Sequence, residues 1–210
     1  MIVGTLTHQV ATYLREEILS GRLRPGEPIL PNVVAEQLGV SRVPVREAVQ
    51  KLVAESLIEQ SANRSARVSS LSPDELYELG LIVFSLENTA TGLGVEKMQD
   101  GDFNEMERLL ERMKAAENDP VTWYEHNHQF HACMYRACGW TKLIQMVEDG
   151  RRNLMRFQTD TELISFNADR FHSEHVALLI AARKRDRELV GSALQAHFDN
   201  SIPLFIKALP

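Results

Sequence analysis

The chain has 210 residues, 44% hydrophobic and 25% charged, a composition that excludes a disordered or low-complexity protein. Its longest apolar runs, such as Leu178 to Ala182, are too short to span a bilayer, and Met1-Ile2-Val3-Gly4 lacks the features of a signal peptide, so no membrane partner and a cytoplasmic location are expected. The net charge of −6 taken alone argues against nucleic acid, but residues 1–70 hold eight Lys/Arg against seven Asp/Glu (net +1) and the remainder fifteen against twenty-two (net −7), the split of a DNA-binding head on an acidic body.

Leu6 to Leu19 carries apolar residues at 6, 10, 14 and 18, the stripe of a first helix, and Ser20-Gly21 ends it before the turn Arg24-Pro25-Gly26-Glu27. Pro31 opens a short second helix with Val33, Val34, Ala35 and Leu38 apolar, and Gly39 stands where a left-handed cap stops it. Ser41 is a natural N-cap for a third helix running to about Ser56, with Glu47 as first-turn acid and Val45, Ala48, Val49, Leu52 and Val53 as its buried face. Two helices joined by so short a glycine-containing turn predict a helix-turn-helix. Leu57 to Gln60 and Ala66 to Ser69 alternate like strands around Ser61 to Ser65, a hairpin that would form a wing.

From Ser72-Pro73-Asp74-Glu75 onward the period is helical, with helices near 73–98, 102–117, 121–138, 141–158, 168–184 and 186–207. Six antiparallel helices with short loops predict a bundle, so the fold class is mainly α: a winged helix-turn-helix in residues 1–70 and an all-helical domain in 71–210. Thr159 to Ser165 reads as a polar connection, and Pro203 is expected to kink or fray the last helix. Cys133 and Cys138 lie five apart on one helix, pointing about 140° from each other, so a disulfide framework is not expected.

In the helix-turn-helix, a recognition helix places its first residues at base edges, which singles out Ser41, Arg42, Val43, Pro44 and Arg46. Arg42 and Arg46 lie four apart on one face and suit guanine O6 and N7, while Ser41 and the helix-start amides suit a phosphate. The wing adds Arg64 and Arg67. These arginines taken singly also fit a solvated surface. The order of elements, with Ile18-Leu19-Ser20-Gly21-Arg22-Leu23-Arg24-Pro25-Gly26-Glu27 followed by Leu38-Gly39-Val40-Ser41-Arg42-Val43-Pro44-Val45-Arg46-Glu47-Ala48, resembles the GntR family of repressors over residues 6 to 70. That resemblance implies operator contacts for Arg42 and Arg46. The wing departs from the family pattern at Asn63-Arg64-Ser65-Ala66-Arg67, where a glycine is usual.

Histidines mark the second domain. Asn127 and His131 sit four apart beside the stripe Phe130, Met134 and Ala137; His175 lies among Phe171, Leu178, Leu179 and Ala182; His197 lies among Val190, Ala193, Leu194 and Ser201. Three imidazoles and an amide thus face one core from three helices, and buried polar groups need partners. A divalent metal ion satisfies all four; a hydrogen-bonded core is the alternative, and His172 is an alternative ligand to His175. His126 and His128 read as exposed or supporting residues, and His8 as surface.

Leu86-Glu87, Asn127-His128-Gln129-Phe130-His131, Glu174-His175 and His197 resemble the FCD domain of the FadR-type GntR branch, in its shorter, VanR-like form, over about 73 to 207. The resemblance implies a metal, zinc or nickel, on Asn127, His131, His175 and His197, with Asn127 standing where many members have Asp. Val83 stands where the family commonly has arginine. It also implies a small organic acid effector against the metal, with Arg152, Arg156 and Glu87 assigned to its binding. A homodimer on two-fold operator DNA is expected because one recognition helix covers only a few base pairs. Two other functions stay open: a purely structural dimerisation domain, or a metal-dependent hydrolase with Glu87 or Glu174 as base.

Overall fold

The computed structural model describes residues 6–60, 65–155 and 161–209. The chain divides into two compact units, Met1–Leu71 and Ser72–Pro210.

In the first unit, α1 (Leu6–Leu19), α2 (Pro31–Leu38) and α3 (Arg42–Ala54) surround one apolar core. Val10, Leu14 and Ile18 of α1 meet Val45, Ala48, Val49 and Leu52 of α3 there. Gly39 ends α2 at φ 64°, a left-handed conformation that a side chain would strain, and its position sets the turn into α3. Ser41 has extended backbone at the start of α3, but its hydroxyl makes no cap bond. The helix begins at Arg42, which puts Glu47 in the second turn, where it accepts from Thr7 Oγ1 at 2.6 Å and pins α1 to α3. Arg15 does the same with Glu55, through two hydrogen bonds of 2.8 and 2.7 Å.

The wing is a three-stranded sheet rather than the hairpin expected. β2 (Ile58–Gln60) and β3 (Ala66–Val68) pair antiparallel, Glu59 opposite Arg67, and β1 (Pro28–Ile29) adds to the far edge of β3 in the order β1-β3-β2. A two-residue strand has too little alternation to register in sequence. It forms because Ile29 drops its side chain into the core beside Ile58, Ala66 and Val68.

In the second unit, α4 (Pro73–Gly94), α5 (Asp100–Ala115), α6 (Pro120–Tyr135), α7 (Thr141–Met155), α8 (Thr161–Arg183) and α9 (Arg187–Lys207) form the bundle. Side-chain caps fix several starts: Ser72 and Glu75 make a reciprocal capping box on α4, Asp119 caps α6 through Thr122, and Asp186 accepts from the amides of Glu188 and Leu189 on α9. α4 runs through the middle, packed on α6, α7 and α9, while α8 closes against α5 and α9.

Three boundaries differ from expectation. α4 and α6 each end earlier and continue as one 3-10 turn, Val95–Lys97 and Arg136–Cys138. α8 starts at Thr161, several residues before the position read from sequence. The polar composition of that stretch hides Ile164, which is fully buried one heptad before Phe171 and extends the apolar face. α9 runs unbroken through Pro203, because buried Ile202 and Phe205 on either side hold it to the core.

Candidate functional site

Three histidines of the second unit converge. The ring centres of His131 (α6), His175 (α8) and His197 (α9) lie 4.8 to 5.4 Å apart, and one nitrogen from each falls within 4.8 Å of the others. His131 and His175 are fully buried and His197 half-buried. His172, the alternative ligand, stands outside the group among the described residues.

Each ring is oriented from behind by an acceptor on Nδ1. His131 Nδ1–H donates to Glu87 Oε1 at 2.6 Å, His175 Nδ1–H to the carbonyl of Phe171 at 2.6 Å, and His197 Nδ1–H to Glu174 Oε2 at 2.8 Å. That bond selects the tautomer in which Nε2 carries a lone pair, so three basic nitrogens face one another. His131 Nε2 is buried without a partner, at a cost of about 1–3 kcal/mol for an orphaned acceptor. His175 Nε2 lies 2.8 Å from Asn127 Oδ1, a second acceptor. A cation between them relieves that clash, as does the reversed amide; nothing of the kind serves His131. The residues present fit a divalent ion.

The supporting carboxylates are themselves held. Burial opposes ionisation of Glu87, but the guanidinium of Arg151, which donates from Nη1 to Oε2 at 2.6 Å, and the His131 bond outweigh it and keep the carboxyl well below its usual range. Glu174 is also lowered: burial pushes it up, while His197, Arg170 and Asn200 donate to it and prevail. Burial, then the charge of Arg151, pushes His131 down to about 3, and burial holds His175 well below the ordinary imidazole range. His131 and His175 are therefore neutral, the form a metal needs. With both carboxylates engaged this way, neither Glu87 nor Glu174 is placed as the free base a hydrolase needs.

Beside this group lies a cavity of about 90 Å³, bordered by Asn127, His131, His197, Glu87 and Arg151 and otherwise mostly by apolar side chains. Of the residues assigned to the effector, Glu87 borders it but is committed to His131 and Arg151. Arg152 does not: it is exposed and paired with Asp149. Arg156 lies outside the described residues. Arg151, which was not singled out, is the cation on this wall. Its signal was present, since it falls four residues after the buried Val147 and three before Leu154, on the apolar face of α7. His126 and His128 are both half-buried, and His128 borders the cavity, lowered to about 4 by burial and by Arg151.

In the first unit, Ser41, Arg42 and Arg46 are exposed at the start of α3, and Val43 is 63% exposed, an apolar group in open solvent. Pro44 is a correction: it is buried on the core side of the helix, beside Val45, so it has no surface to offer a groove. Arg67 lies in the central strand with Nη1 donating to the carbonyl of Gly26 at 3.1 Å, and Arg64 lies outside the described residues.

Comparison with known proteins matches residues 6–68 to the bacterial regulatory proteins of the gntR family and residues 75–200 to the FCD domain. The HTH-type transcriptional regulator McbR of Escherichia coli is 30% identical over 194 residues, covering 88% of this chain and 85% of McbR. A probable D-xylose utilization operon transcriptional repressor of Paenarthrobacter nicotinovorans is 28% identical, covering 95% and 88%. The solved structure of E. coli McbR/YncC superposes with a TM-score of 0.76 at 25% identity, over 98% of this chain and 99% of that one. These relatives are regulators, not enzymes. The chain belongs to the GntR family of DNA-binding transcription regulators, in the branch whose C-terminal half is an FCD domain.

Proposed function

We propose that this regulator is a cytoplasmic repressor whose residues 1–70 bind operator DNA and whose residues 71–210 hold a divalent metal, zinc or nickel, against which a small carboxylate effector sits. Asn127, His131, His175 and His197 are the metal residues. A bound ion supplies a positive centre for a carboxylate oxygen, and Arg151 stands beside it on the cavity wall. The observation that carries the reading is the buried, unpartnered His131 Nε2 facing two further imidazoles whose Nδ1 atoms are already committed. On DNA, Ser41, Arg42, Val43 and Arg46 are the exposed set that supports groove contact, and Arg67 and Arg64 are the wing residues added to it. The Paenarthrobacter relative, a probable repressor by name, supports the sign of regulation.

The test is His175→Ala. Metal content by plasma emission should fall from one ion per chain to none, and binding to a duplex selected from a random pool should persist but no longer respond to carboxylates. A full metal complement in the variant refutes the site.

A further inference from the structure

The cavity wall says which acids the site admits. From α4 it takes Gly80, Val83 and Phe84; from α7, Leu154; from α9, Phe198 and Ile202. Trp123, Tyr124, Phe171 and Phe205 complete it, with Phe84 and Phe198 stacked at 5.1 Å and Trp123 edge-on to Tyr124 at 5.1 Å. Among the described lining residues Arg151 is the single full cation, and Glu87 at 2.6 Å already answers its charge. Ser201 contributes a buried hydroxyl with no partner, one turn beyond His197 on α9. Away from the histidines, then, the wall offers two neutral hydroxyls, Ser201 and Tyr124, beside the already answered Arg151, and otherwise mostly hydrocarbon and aromatic surface. A first carboxylate has the imidazole end to go to. A second one would lose its water against Val83, Phe84, Leu154 and Ile202 with no unanswered cation in return, which is prohibitive for a charge, and a row of hydroxyls would find two hydroxyl partners at most. The volume of about 90 Å³ sets the length: a cavity of about 150 Å³ holds a benzene ring, so this one suits a body of a few carbons.

Resting on the metal-centred reading above, we propose that the site selects monocarboxylates with a short apolar body and rejects dicarboxylates and sugar acids. The zinc-loaded protein is titrated calorimetrically with acetate, propionate, butyrate, succinate and gluconate, with chelator-treated protein in parallel. Affinity should rise about fourfold for each CH₂ from acetate to butyrate, the increment expected of apolar burial. Succinate, whose four-carbon chain carries a carboxylate where butyrate has its terminal methyl, should bind at least about tenfold more weakly than butyrate because its second charge is buried unpaired. Leu154→Lys, at a half-buried position on the rim, should reverse the order of butyrate and succinate. If that variant does not fold, the wild-type series decides. Succinate or gluconate binding as tightly as butyrate overturns the inference. Zinc loading with no acid bound overturns it while leaving the metal site standing, and failure to load zinc overturns the reading beneath it.

Discussion

Asn127 stands 2.8 Å from His175 Nε2 with an uncharged oxygen, and in the proposed metal centre this one atom would set the ligand charge. An amide leaves the charge of a divalent ion undiminished, whereas a carboxylate at the same place would cancel part of it. Asn127→Asp should therefore tighten zinc, by about tenfold or more on the scale of added ligand charge, read by competition with a chromophoric chelator. His131 and His175 make a separate prediction about the stripped protein. Both are lowered, His131 to about 3 from 6.5, so as pH falls the unfolded chain takes up protons that the folded chain refuses. Stability is complete above about pH 7 and is lost on going down. At pH 5 the His131 imidazole alone costs about 2 kcal/mol, and His175 acts in the same direction. Glu87 adds nothing in that window, because its carboxylate is ionised in both states; its contribution disappears only in stronger acid. Chelator-treated protein should melt several degrees lower at pH 5 than at pH 7, and a flat profile counts against neutral, buried imidazoles.

At the level of elements, the bundle depends on how closely α4 meets the end of α6. Gly94 closes α4 against the 3-10 turn that follows α6: a Cβ there would stand 2.6 Å from the amide nitrogen of Cys138 and 2.9 Å from the carbonyl of Met134. Backbone cannot step aside as a side chain can. Gly94→Ala should cost about 1–3 kcal/mol, seen as a lower melting temperature with unchanged helical circular dichroism. In the head, Glu47 and Glu55 tie the α3 segment to α1, and Arg42, Val43 and Arg46 are left exposed. Arg46→Ala removes a candidate bidentate base contact and nothing from the core. Operator affinity should drop by the equivalent of about 1–3 kcal/mol at fixed salt, with the melting curve unmoved. Gel-shift titration reads the loss, and unchanged affinity would place base recognition elsewhere.

For the molecule as a whole, one recognition helix reads only a few base pairs, so useful specificity calls for two half-sites and a two-fold dimer. Sedimentation equilibrium at micromolar concentration without DNA should give twice the 23.8 kDa chain mass, and a monomer would remove the basis for a palindromic operator.

Sequence alone determined the parts that rest on local rules. The helix start at Ser72-Pro73, the break at Gly39 and the 3.6-residue stripes are written within a few residues of where they act, and so the helices and the helix-turn-helix were legible. The histidines were legible too, as polar residues on apolar faces of three helices. Tertiary structure decided what depends on residues far apart in the chain. The pairing of Glu87 with His131 spans 44 positions and that with Arg151 spans 64, so no window of sequence reveals that Glu87 orients a ring, or that Arg151 and not Arg152 faces the cavity. One step along α7 rotates a side chain by about 100°, and only the neighbouring helices define which of two adjacent arginines points inward. The same holds for β1, whose two residues become a strand because β3 offers a free edge, and for Pro44, whose burial depends on the core that α1 and α3 build together.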